Sequence, residues 1–102
     1  MNENTIKYLT LPLTFTKSGW KFSQVERFGD WAVYEKQKGE RIKSWELIKI
    51  LRHDGREFVG QFFPPSEMYP SSSQWGNLGW TFTSKKQALK KFNEQIKLYY
   101  NS

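Results

Sequence analysis

The chain has 102 residues, a formal net charge of +6, 37% hydrophobic and 18% aromatic residues, and no cysteine. This length holds one domain and leaves too little material for a second core, while the lack of cysteine excludes disulfides, thiolate metal sites and cysteine nucleophiles. The charge points to an anionic partner, with nucleic acid first, an acidic protein face second and a membrane surface third. A solvated helix face accounts for the same charge.

Residues 1–18 begin polar and then offer Ile6, Tyr8, Leu9, Leu11, Leu13 and Phe15. Pro12 confines this stretch to a sheet edge or an extended arm. The segment has neither a basic region leading into an apolar run of signal-peptide length nor a membrane span, so a cytoplasmic protein with no membrane partner is expected.

Lys17-Ser18-Gly19 reads as a turn, followed by a strand from about Trp20 to Phe28. Gly29-Asp30 is a two-residue hairpin loop, and Trp31 to Gln37 is the returning strand. Lys38 to Arg41 connects to Ile42–His53, the most β-rich run. Asp54-Gly55 between apolar runs specifies a type I′ hairpin, so Arg56 to Phe63 is expected as a fourth strand antiparallel to the third.

Regular turns would set Phe28 opposite Trp31, Arg27 opposite Ala32, Val25 opposite Tyr34, Arg52 opposite Glu57, Leu51 opposite Phe58 and Ile50 opposite Val59. Across the four-residue connection, Tyr34 falls beside Trp45 and Ala32 beside Leu47. Both faces of such a meander are apolar. A half-exposed antiparallel sheet would alternate apolar and polar instead, so this sheet needs cover on two sides.

One cover is a helix from Lys85 to about Tyr99, with Ser84 as N-cap, Gln87 completing a capping box, and Ala88, Leu89, Phe92, Ile96 and Tyr99 forming an apolar stripe. The second cover comes from the arm, the aromatic segment or another molecule, which makes a homodimer one option. The expected architecture is α+β: arm or edge strand 1–18, four-stranded antiparallel meander 19–63, aromatic loop 64–83, and C-terminal helix 84–100 on one sheet face. The N-terminal arm is the candidate fifth strand.

No catalytic signature accompanies this fold. His53 is the one histidine and stands in a turn, and the acidic residues are spaced singly, without calcium or magnesium ligation patterns. Glu26, Glu35, Glu46 and Glu57 lie on adjacent strands, where Arg52–Glu57 reads as an ordinary surface ion pair. Gly76 and Gly79 have the wrong spacing for a phosphate loop. A non-enzymatic chain without cofactor or metal is expected, with a spatially assembled carboxylate pair as the enzymatic alternative.

Binding chemistry is better represented. Single-stranded nucleic acids are held by aromatic platforms and by cations that follow the phosphates. The long segment Gln61–Thr83 supplies Tyr69, Trp75 and Trp80, and residues 84–102 carry five lysines against one glutamate. Lys85 and Lys86 sit where the helix dipole disfavours cations. The candidate partner- or nucleic-acid-binding set is Lys85, Lys86, Lys90, Lys91, Lys97, Tyr69, Trp75, Trp80, Arg52 and Arg56. Trp31, Trp45 and Phe58 are expected in the core.

FGDWAVYE (28–35), RHDGREFVG (52–60) and PPSEMYPSSSQWGNLGWTFTS (64–84) resemble a group of small accessory proteins from phages and mobile elements, the likeness running over residues 19–98. This resemblance carries no site residues. It implies a compact accessory protein, in a class that includes inhibitors of host defence such as anti-CRISPR proteins. The implied partner is a host nuclease or ribonucleoprotein met through a basic helix and aromatic anchors; a stand-alone domain binding single-stranded RNA or DNA directly is the alternative.

Overall fold

The computed structural model describes residues 6–40 and 42–100. Residues 1–5 of the expected arm and Arg41 of the expected connection lie outside the described residues. The strands are β1 (Thr14–Lys17), β2 (Trp20–Phe28), β3 (Trp31–Lys38), β4 (Ile42–Lys49), β5 (Leu51–His53), β6 (Arg56–Phe58), β7 (Gln61–Phe63), β8 (Ser66–Met68) and β9 (Gly79–Phe82), with helix α1 (Lys85–Tyr100) closing the chain. The α+β class holds: a five-stranded antiparallel sheet in the order β1-β2-β3-β4-β9 carries α1 on one face.

The arm does supply an edge strand. Ser18 and Gly19 both take positive φ, 55° and 82°, which lets β1 fold straight back onto β2 with Lys17 opposite Trp20. Phe28 faces Trp31 and Arg27 faces Ala32 as expected, but Val25 is bulged out and Gln24 takes the place opposite Tyr34.

Between β3 and β4, Lys38 pairs with Ile42, so the connection is one residue shorter than the sequence reading assumed. A one-residue slip moves every side chain of a strand to the other face. Tyr34 therefore stands opposite Glu46 rather than Trp45, and Ala32 opposite Ile48 rather than Leu47.

The expected fourth strand is replaced. The main strand ends at Lys49, β5 pairs with β8, and β6 pairs with β7 in a separate two-stranded hairpin. Its turn lies at Val59-Gly60, where both residues have positive φ (52° and 73°), as a type I′ turn requires. At Asp54-Gly55 only the glycine has positive φ, so that pair does not close a I′ hairpin. The place beside β4 goes to β9 instead, from inside the segment expected to be loop, where Trp80 pairs with Leu47 and Phe82 with Trp45.

Both faces are covered within the chain. On one, Ala88 and Phe92 of α1 close over Trp31, Val33 and Leu47, with Trp80, Phe82, Leu89 and Ile96 around them. The helix starts where expected, the Gln87 amide donating to Ser84 Oγ at 3.4 Å. The opposite face holds Phe22, Ala32, Tyr34, Ile48 and Ile50 under Leu11, Phe15, Tyr69 and Trp75. Arm and aromatic segment thus share the second cover, and the face that would have called for a homodimer is occupied.

One side-chain carboxylate adds to the backbone bonds that hold the arm, Leu9 with Pro65 and Glu67 and Leu13 with Gln24. Glu67 on β8 accepts from the Leu11 amide at 2.9 Å and from both terminal nitrogens of Arg27 at 2.7 Å each. Arg52 reaches Glu67 at 3.2 Å and Asp30 at 2.6 Å, in place of the expected pair with Glu57. The Arg27 guanidinium, helped by the Leu11 amide, holds the Glu67 carboxyl down at about 2.

Candidate functional site

The register that puts Glu46 opposite Tyr34 also puts Phe22 opposite Lys36. The arm-covered face therefore changes along its length, from an apolar core to a mixed floor of aromatic rings and charge. Phe15 stacks flat on Phe22, with centroids 4.6 Å apart. Tyr69, one residue beyond β8, meets both rings edge-on at 5.7 and 5.8 Å. A short 3-10 turn, Ser72–Gln74, then delivers Trp75 parallel to Tyr69 at 6.3 Å. The Ser71 amide donates to Gln74 Oε1 at 2.8 Å and fixes that turn.

Between these rings and Trp20 is a cleft of about 440 Å³, a size ordinary for small-molecule sites. Its floor is Glu46, 5% exposed. The Tyr69 hydroxyl donates to Glu46 Oε1 at 2.6 Å; Lys36 Nζ and the Thr81 hydroxyl stand farther from Oε2, at 3.4 and 3.5 Å. Burial first, and then the Glu46 charge, push the Tyr69 hydroxyl far above its ordinary range, so it remains a donor. Lys36 Nζ lies 4.5 Å from the Trp20 ring centroid, a cation–π contact. Lys17 lines the mouth, and Lys38 Nζ is 5.8 Å from Trp20.

The cleft thus offers stacking surfaces, two lysines with a third beside Trp20, and one carboxylate. A planar ligand with an anionic tail matches this set. Among the described residues Glu46 is the one carboxylate lining it; Glu26 and Glu57 are exposed and Glu35 pairs with Lys43 at 3.4 Å. His53 is engaged through both ring nitrogens, accepting from the Gly55 amide at 3.2 Å and meeting Ser66 Oγ at 2.8 Å, which places its proton on Nε2. Among the described residues no three acidic or histidine side chains come together, and no helix is long and apolar enough to cross a membrane.

The residues singled out from sequence are distributed over five places. Tyr69 and Trp75 line the cleft. Trp80 is on the other face, stacked on Trp31 at 6.2 Å, with Lys91 Nζ 5.3 Å from its ring. Lys85, Lys86, Lys90 and Lys97 are exposed on α1. Arg52 is engaged by Asp30 and Glu67, and Arg56 is exposed on the hairpin.

That hairpin departs most from expectation. Phe58, expected in the core, is 67% exposed, Phe62 beside it is 66% exposed, and Val59 at the tip is 85% exposed.

Trp20, Lys36 and Glu46 were not singled out as binding residues. Their one sequence signal is an acid set between Trp45 and Leu47 on β4. No protein-family model, curated protein or solved structure matches the chain.

Proposed function

We propose that this protein is a non-enzymatic binding domain for single-stranded nucleic acid, with the aromatic cleft as its site. The observation that carries this reading is the convergence of Trp20, Tyr69 and Trp75 with Lys17 and Lys36 on one concave surface, with Lys38 near the Trp20 ring. Bases stack on aromatic rings whatever their sequence, at roughly 1–3 kcal/mol each, while cations follow the backbone. The test is anisotropy of labelled single-stranded RNA and DNA decamers across a salt series. Binding should weaken as salt rises, and Trp20→Ala should cost at least about fivefold in affinity. Absence of any anisotropy change at low salt removes this reading.

A second reading is favoured by the exposed Phe58, Val59 and Phe62 and by the lysines of α1. In it the chain is an accessory protein of the phage or mobile-element kind, of the anti-CRISPR type, that docks on a host nuclease or ribonucleoprotein. Large apolar side chains left in water commonly mark contact sites. Replacing Phe58 and Phe62 together with serine should abolish capture of such a partner and leave oligonucleotide binding intact. Loss of oligonucleotide binding instead, in a folded variant, removes the docking reading.

A further inference from the structure

Resting on the cleft reading above, we propose that the cleft selects an unpaired guanine, with Glu46 and Lys36 reading its Watson–Crick edge. Along that edge guanine presents one acceptor, O6, followed by two donors on separate nitrogens, the ring N1–H and the exocyclic N2 amine. An ionised carboxylate only accepts and has about four lone-pair positions, and an ammonium only donates, with three protons.

Tyr69 uses one position on Oε1 of Glu46, at 2.6 Å. The Lys36 and Thr81 contacts to Oε2 are long, 3.4 and 3.5 Å, so both oxygens retain acceptor capacity. Lys36 sits over Trp20 beside this carboxylate and keeps protons to donate. The floor therefore reads donor, acceptor, acceptor, the complement of guanine.

The other bases match it less well. Adenine offers one donor group next to one acceptor, and uracil offers a single donor flanked by acceptors. Cytosine has a single amino group beside two acceptors. None gives a carboxylate two donors on adjacent nitrogens. Hydrogen bonds to an ionised group are the strong ones, and a site built to bond a donor rejects the analogue that lacks it.

The test uses labelled heptamers of uridine, and of thymidine, carrying guanine, inosine or adenine at the central position, read by anisotropy at fixed salt. Inosine keeps O6 and N1–H and lacks only the exocyclic amine. Guanine should bind about tenfold tighter than inosine and adenine. In Glu46→Gln this preference should collapse while residual binding persists. The guanine–inosine comparison needs no variant, so it stands even if Glu46→Gln fails to fold. Heptamers that all bind within twofold of one another overturn guanine selection and leave the cleft reading in place. If no heptamer binds, both are overturned.

Discussion

Trp75 lies with its six-membered ring directly on Gly79: a β-carbon built there would stand 2.5 Å from Cζ3 and 2.6 Å from Cε3 of the indole. Gly79 is not among the positive-φ glycines, so its substitution acts through the ring rather than the backbone. Gly79→Ala should displace Trp75, break its 2.9 Å hydrogen bond to Thr81, and cost about 1–3 kcal/mol by overpacking. Urea unfolding measures the stability loss. A titration with single-stranded decamers should show weakened binding in the variant that remains folded.

Acid should loosen the arm through Glu67. Its folded-state value is about 2 against an ordinary 4.5, so its stabilisation is fully present above about pH 4.5 and is lost as pH falls toward 2. A depression of this size corresponds to at most about 3 kcal/mol. Asp30, lowered by the Arg52 guanidinium, adds in the same direction. Urea midpoints for wild type and Glu67→Gln should differ at pH 7 and converge near pH 2. A constant gap would assign the loss to packing rather than charge.

Val59 holds a β-branched side chain in the left-handed region at an exposed tip. That conformation costs an L-residue roughly 1–2 kcal/mol, and asparagine tolerates it better. Val59→Asn should therefore slow amide exchange within Arg56–Phe63. If the tip is a docking anchor, the same variant will bind its partner less tightly despite the steadier hairpin.

The lysines of α1 give a third way to separate the two surfaces. The helix covers the sheet face opposite the cleft, and charges farther apart than the Debye length, about 8 Å at physiological salt, are largely screened. Replacing Lys86, Lys90 and Lys97 with glutamate should change decamer affinity less than about threefold at that salt. A larger loss would bring the helix into the nucleic-acid path.

Elements with local causes were legible in the sequence. Ser18-Gly19 and Gly29-Asp30 turned where expected, Pro12 kept the arm at the edge, and Ser84 started the helix. The Asp54-Gly55 reading failed because a I′ turn needs two residues at positive φ, and the chain meets that need at Val59-Gly60, where a valine is the last residue to expect. One residue fewer between β3 and β4 exchanged the faces of Trp45, Glu46 and Leu47. The cleft was illegible for a different reason: Trp20, Lys36, Glu46, Tyr69 and Trp75 come from separate parts of the chain, and tertiary packing alone brings them together.

The Glu67 clamp also sets an order of assembly. It joins Leu11 to a side chain 56 residues later, and Arg27 to the same carboxylate across 40. Contacts of such separation form late, since the loop-closure entropy precedes any reward. On a ribosome β1, β2 and β3 can pair early, but Leu9 and Leu11 of the arm find their partners only when β8 emerges, and the cleft has no far wall until Trp75 and Thr81 follow. The cleft is therefore incomplete in a nascent chain, and a chain truncated before Thr81 would carry the early strands without its far wall.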